Sequence, residues 1–172
     1  MATPRGTGRF GVEEHGKRTA RSTDVYMPAE GKEEAAVCTG CKAIFQGKRW
    51  FSEGDDGAKL PAGHLPGKVV CPACQRIKDG NPAGVITLSG DYLIQHEEVI
   101  LNAVKNIEAK ARAKNPLARI MRIDQEGKIL TICTTHEKLA EKLGKEIYKS
   151  HSGKLGFQWS EDESFVRVNW TR

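Results

Sequence analysis

Two Cys-x-x-Cys pairs, Cys38/Cys41 and Cys71/Cys74, constrain this chain more than any other feature. Four thiolates arranged as two close pairs are what one tetrahedral zinc ion takes up, and a cage with four protein ligands keeps no coordination position open for a substrate. Such a site is a structural staple. The pattern therefore predicts a zinc ribbon, with two tight turns facing each other across one ion, in a protein that binds something. A zinc hydrolase is disfavoured.

Other uses of these cysteines are weaker. Cys71-Pro72-Ala73-Cys74 looks superficially like a redox dithiol, but such motifs open a long helix in a β-α-β setting. Here Gly80-Asn81-Pro82 interrupts the chain soon after, and a second pair is ready to complete the cage. His64 lies between the pairs and could replace one sulfur; with four thiolates present it reads as a loop residue. Cys133 stands in an alternating apolar segment and reads as a small core side chain.

The 172 residues suffice for a small metal module and one compact domain. With 38% hydrophobic and 28% charged residues and no long apolar run, the composition is that of a soluble chain. The first 21 residues lack the apolar stretch of a secretory signal. A cytoplasmic, reducing location is expected, where paired cysteines favour metal over disulfides. Membrane partners and a small-molecule substrate are not expected.

Net charge is +5, unevenly placed. Residues 1–23 carry five Lys/Arg against two acids, and 37–88 carry seven against four. A zinc ion held by four thiolates contributes about −2, which cancels much of the second surplus. Basicity alone is thus a mild pointer to nucleic acid.

Residues 1–36 have little apolar periodicity and read as a disordered or partner-ordered arm, with Phe10 and Val25-Tyr26 as possible anchors. Residues 37–88 form the metal module, with short strands near 43–45, 48–52 and 69–70, and a last strand at 85–88. Residues 89–172 form the second domain. Its long helix starts at Ser89 as N-cap and ends before Pro116, with Leu93, Ile100, Val104, Ile107 and Ala111 on one face. Strands at 119–124 and 128–134 follow. A capping box of Thr134 and Glu137 opens a helix to about 150, and alternating runs 155–159 and 166–170 close the chain. The predicted class is α+β: a Cys₄ ribbon, a long helix and a β-β-α-β-β unit behind a disordered arm.

Candidate nucleic-acid contacts cluster near the cysteines. Gly47-Lys48-Arg49-Trp50-Phe51 sets two cations beside two aromatics, able to grip a phosphate backbone and stack on an unpaired base. Lys42, Arg76 and Lys78 extend the same basic rim. Equally, Phe45, Trp50 and Phe51 could be core beneath the zinc, leaving the cations merely solvated. Lys138, Lys142, Lys145 and Lys149 form a helical stripe, but Glu141 and Glu146 stand at i,i+4 positions to neutralise it. His96, His136 and His151 fit no triad or metal spacing, and neither a phosphate-binding glycine loop nor a nucleophile elbow occurs. Nothing argues for an enzyme.

The runs Val37–Cys41, Gly47–Trp50, Cys71–Ile77, Pro82–Gly90 and Asn115–Met121 (Asn-Pro-Leu-x-Arg-Ile-Met) resemble a bacterial single-zinc-ribbon family. That family is in turn remotely similar to the nonsense-mediated-decay-three family of ribosomal adaptor and export factors. The resemblance covers most of residues 37–172, and the adaptors have two zinc sites where this chain has cysteines for one. It implies association with structured RNA, ribosomal RNA above all, and with ribosomal proteins, without catalysis. Under it, Arg5, Arg9, Lys17, Arg18 and Arg21 would let the arm order into an RNA groove. Two other functions fit the same residues: a DNA-binding transcription regulator, and a protein–protein adaptor that ignores RNA.

Overall fold

The computed structural model describes residues 11–17, 25–26, 35–58, 60, 63 and 65–172. Ten strands, three helices and two sheets among these residues make it a mixed α and β protein. The small sheet has the order β4-β3-β2-β5, from β2 (Ala36–Cys38), β3 (Ile44–Gln46), β4 (Arg49–Phe51) and β5 (Gly67–Val69). Helix α1 (Pro72–Asp79) follows it directly. The large sheet has the order β1-β9-β10-β6-β8-β7. Its strands are β1 (Val12–His15), β6 (Gly84–Ser89), β7 (Ile120–Glu126), β8 (Ile129–Thr134), β9 (Lys154–Trp159) and β10 (Val166–Thr171).

Helix α2 (Asp91–Lys114) carries the chain from β6 past β8 to β7, and α3 (Glu137–His151) carries it from β8 past β6 and β10 to β9. Alternation sends Ile86, Leu88, Leu130, Ile132, Phe157, Val166, Val168 and Trp170 to one face of the sheet, where they are buried. Leu139, Leu143 and Ile147 of α3 and Leu93, Ile100 and Val104 of α2 complete that core. Opposite them, Thr87, Gln158, Arg167 and Asn169 leave the other face polar, as expected of a sheet covered on one side.

Several sequence expectations change here. The strand predicted at 85–88 does not belong to the metal module; as β6 it lies inside the large sheet, paired parallel with β10 and antiparallel with β8. The boundary at 88/89 therefore cuts through the larger unit. The arm is not uniformly without structure: Val12–His15 pair parallel with Leu155–Gln158 at the sheet edge, and Val12 packs on the core. Tyr26 rests on α1, with the Arg76 guanidinium 4.4 Å from its ring centroid and its hydroxyl donating to Asp79 Oδ2 at 3.1 Å. Phe10, Arg5, Arg9, Arg18 and Arg21 lie outside the described residues, as does His64.

Helix starts also differ. The N-cap of α2 is Gly90, not Ser89; its φ of 109° and the 2.1 Å that would separate a Cβ there from the Arg172 carbonyl oxygen require glycine at that position. Within α2, His96 leaves helical geometry at φ −125° and its Nδ1 lies 3.0 Å from the Tyr92 carbonyl oxygen. A side chain inserted into the helical ladder is a recognised cause of such a kink. The Thr134–Glu137 capping box does not form. His136 caps α3 through Nδ1, accepting from Lys138 N–H, while the Thr134 hydroxyl donates to the His136 carbonyl at 3.0 Å.

Candidate metal centre

The four cysteines converge. Their sulfurs all lie within 4.8 Å of one another, and Cys41 Sγ is 3.6 Å from Cys71 Sγ. A tetrahedral ion bound at about 2.3 Å by four sulfurs holds them about 3.8 Å apart. The donor set and spacing thus fit one metal ion, and all five cysteines of the chain are free thiols.

The local folds that deliver them differ from the expected pair of facing turns. Cys38 ends β2, and Cys38-Thr39-Gly40-Cys41-Lys42 closes a knuckle through Lys42 N–H to the Cys38 carbonyl at 3.0 Å and Cys38 N–H to the Ala43 carbonyl at 2.8 Å. Cys71 and Cys74 instead occupy the N-terminus of α1. Cys71 is the N-cap and its sulfur accepts from Cys74 N–H, with Pro72 at the first helical position. The module is therefore a knuckle-hairpin-helix finger, not a ribbon of two hairpin turns. Pro in the first turn and Gly80 in left-handed geometry at the C-cap (φ 65°) are the sequence signals for this short helix. At 8 residues it is far from the long helix that a redox dithiol opens.

Backbone donors surround the sulfurs. Cys71 N–H donates to Cys38 Sγ at 3.2 Å. Burial resists ionisation of Cys38, but the amides of Cys41, Cys71 and Gly40 outweigh it and bring its pKa down to about 6. At Cys71 burial prevails and drives the thiol up. Burial also raises Cys74, against the pull of Arg119. Closely spaced sulfurs oppose one another's ionisation, and a divalent cation between them removes that opposition.

Arg119 is the residue that sequence reasoning missed. It sits at the turn between α2 and β7, is 8% exposed, and points its guanidinium at the sulfurs. Nη2 lies 3.2 Å from both Cys41 Sγ and Cys71 Sγ, and 3.6 Å from Cys74 Sγ. Nη1 is 3.6 Å from Cys74 Sγ. Burial works against its charge, yet the neighbouring cysteines outweigh burial and raise its pKa. The sequence places Arg119 only at a strand start and inside the Asn-Pro-Leu-x-Arg-Ile-Met match. Nothing local reveals that its partners lie 45 to 78 positions upstream.

The remaining candidates separate into two groups. Lys42, Lys48, Arg49 and Lys78 are exposed. Arg76 is buried and Trp50 half-buried. Arg76 is 7% exposed, donates to the Asn81 carbonyl at 3.2 Å and stacks on Tyr26. Trp50 packs against the cysteine cluster and against Phe45 at 5.2 Å between ring centroids. Its Nε1 is buried with no hydrogen-bond partner among the described residues. The half-buried indole thus serves as part of the finger's small core. On α3, Lys145 pairs with Glu141 at 2.5 Å, the salt-bridged arrangement that i,i+4 spacing predicts.

The fold and the site define a mixed α and β protein with a finger whose four cysteines could hold a metal ion. No family model matches the chain, and no curated protein or solved structure shows significant similarity to it. Among the described residues no helix is long and apolar enough to cross a membrane.

Proposed function

We propose that this is a non-catalytic, zinc-stapled cytoplasmic protein that binds structured RNA on the ribosome, through the cations around its finger. A tetrahedral cage of four thiolates suits zinc. With every ligand position taken by sulfur, the ion holds the finger together and leaves recognition to the surface. The resemblance to the bacterial single-zinc-ribbon family, and through it to ribosomal adaptors, points to ribosomal RNA as the polymer.

One observation carries the proposal. Lys42 and Lys48 both sit at φ 63°, in the left-handed region that glycine occupies freely. Lys42 ends the knuckle, and Lys48 with Gly47 (φ 56°) forms the two-residue turn between β3 and β4. An L-residue there costs about 1 kcal/mol. Strained positions are kept where the side chain matters. Two long cations held at such positions, with Arg49 and Lys78 exposed nearby in the finger, suit a phosphate backbone.

The test exploits the same strain. In Lys42→Gly/Lys48→Gly/Arg49→Gln the two glycines relax the turns, so stability should stay within about 1 kcal/mol of wild type. Wild-type protein should sediment with ribosomal particles at low salt and dissociate as salt rises. The triple variant should bind structured RNA more weakly, with a salt slope smaller by roughly one unit per cation removed. Retention of duplex DNA alone would favour a transcription regulator, and capture of a protein partner with no RNA affinity would favour an adaptor. Either result sinks the RNA proposal, as does a triple variant that binds RNA like wild type.

A further inference from the structure

We infer that Arg119 is part of the metal centre: its guanidinium caps the face formed by the sulfurs of Cys41, Cys71 and Cys74, making ion retention and docking of the finger one event. This rests on the metal-binding proposal above and adds to it a residue and a coupling.

Charge gives the first argument. A divalent ion held by four thiolates carries about −2, and a low-dielectric site makes uncompensated charge costly. Arg119 is itself buried and always protonated, so it needs a counter-charge as much as the cage does. Its side chain has one other described partner, the neutral Pro116 carbonyl, which accepts from Nε at 3.0 Å. No carboxylate is paired with it among the described residues, so the sulfurs are the anions it meets there.

Geometry gives the second. The guanidinium reaches three of the four sulfurs, while Cys38 Sγ accepts from the Cys71 amide instead. It therefore lies on the outer side of the face opposite Cys38 and leaves the interior of the cage to the ion.

The third argument is how firmly the arginine is mounted. Arg119 N–H donates to Thr135 Oγ1 at 2.9 Å, and Thr135 N–H returns a bond to the Arg119 carbonyl at 2.9 Å. The Thr135 hydroxyl also donates to the Leu117 carbonyl at 2.6 Å, and Asn115 Oδ1 accepts from Leu117 N–H at 3.1 Å. Leu117 itself packs against the finger's cysteine cluster, while Ala118 is buried in the core of the large sheet. Residues 115–119 thus have one side in each unit. Losing the ion releases the three sulfurs from the arrangement that holds them against the buried guanidinium. Losing the guanidinium leaves the cage with its charge uncompensated. The two equilibria are linked, and the linkage is reciprocal.

The experiment compares wild type, Arg119→Gln and Arg119→Lys in the full chain. Zinc release into excess chromogenic chelator should be roughly 10–100-fold faster for the Gln variant, the usual scale for outer partners of a metal ligand set. The Lys variant, which keeps the charge but not the fork, should fall between. Cobalt-substituted wild type and Gln variant should differ in the energy of the sulfur-to-metal charge-transfer band, since three sulfurs lose their donor. With zinc bound, amide exchange should quicken in residues 36–46 of the Gln variant and stay slow in β6, β8 and β10. Identical release rates and cobalt spectra overturn the inference while leaving the metal proposal standing. A wild type that takes up no ion overturns both. Should the Gln substitution disrupt the large sheet, release from the Lys variant decides: several-fold faster supports the inference, and the wild-type rate overturns it.

Discussion

Removing the metal should unfold the finger and leave the large sheet standing. The finger's apolar interior is small: among the described residues Ala36, Ala43, Ala73 and Phe45 are its buried hydrophobic residues besides the cysteines, with Trp50 half-buried against them. Burying Phe45 contributes about 2–3 kcal/mol, the half-buried Trp50 no more than about that, and each alanine methyl about 0.8 kcal/mol. A structural zinc supplies about 10–16 kcal/mol to a small fold, so the ion contributes more there than all of this apolar burial together. The larger unit does not share this dependence, since its core of 17 buried residues, Phe157 and Trp170 among them, contains no ligand. Amide exchange read by mass spectrometry on zinc-loaded and chelated protein separates the two. Chelation, or Cys71→Ser, should expose the knuckle amides of Cys38 and Lys42 and the Gln75 amide, which bonds the Cys71 carbonyl at 2.9 Å. Protection in β6, β8 and β10 should change little. Loss of protection throughout the large sheet would refute this reasoning, and so would a knuckle that stays protected without metal.

Gly144→Ala should destabilise the protein by about 1–3 kcal/mol despite alanine's better helix propensity, because the new Cβ would stand 2.5 Å from Val168 Cγ1. A lower urea midpoint at unchanged slope would show it. His151 should make folding stability pH-dependent. Burial first, then His96 and Arg172, lower its pKa, and its Nδ1 lies 3.1 Å from the Tyr92 hydroxyl. A folded state that prefers neutral His151 has this contribution in full above the unfolded pKa of about 6.5 and loses it as pH falls below. Thermal melts of wild type should therefore drop more between pH 7.5 and 5.5 than those of His151→Gln. Arg76→Ala should loosen Tyr26 on α1, leaving its hydroxyl bonded to Asp79 and Asn81; losing a cation–π contact of about 0.5–1 kcal/mol predicts chymotryptic cleavage at Tyr26 a few-fold faster.

The sequence alone determined which four cysteines converge, the α and β character and most helix and strand positions. Those are local properties: Cys-x-x-Cys spacing, the apolar periods of 93–111 and 155–170, and the turn residues between them. Tertiary structure decided the rest. The place of 84–89 depended on its parallel pairing with Val166–Thr171, a register set some 80 residues away. The helical mount of Cys71 and Cys74 replaced the expected turn, because Pro72 and left-handed Gly80 bound a helix too short for apolar periodicity to register. Trp50 and Arg76 looked like binding residues because cationic and aromatic side chains suit both a surface and a small core, and only packing distinguishes the two. Arg119 shows the limit most clearly. A lone arginine beside Pro-Leu-Ala carries no mark of its partners, and the sulfurs that hold it come together only once both units have folded.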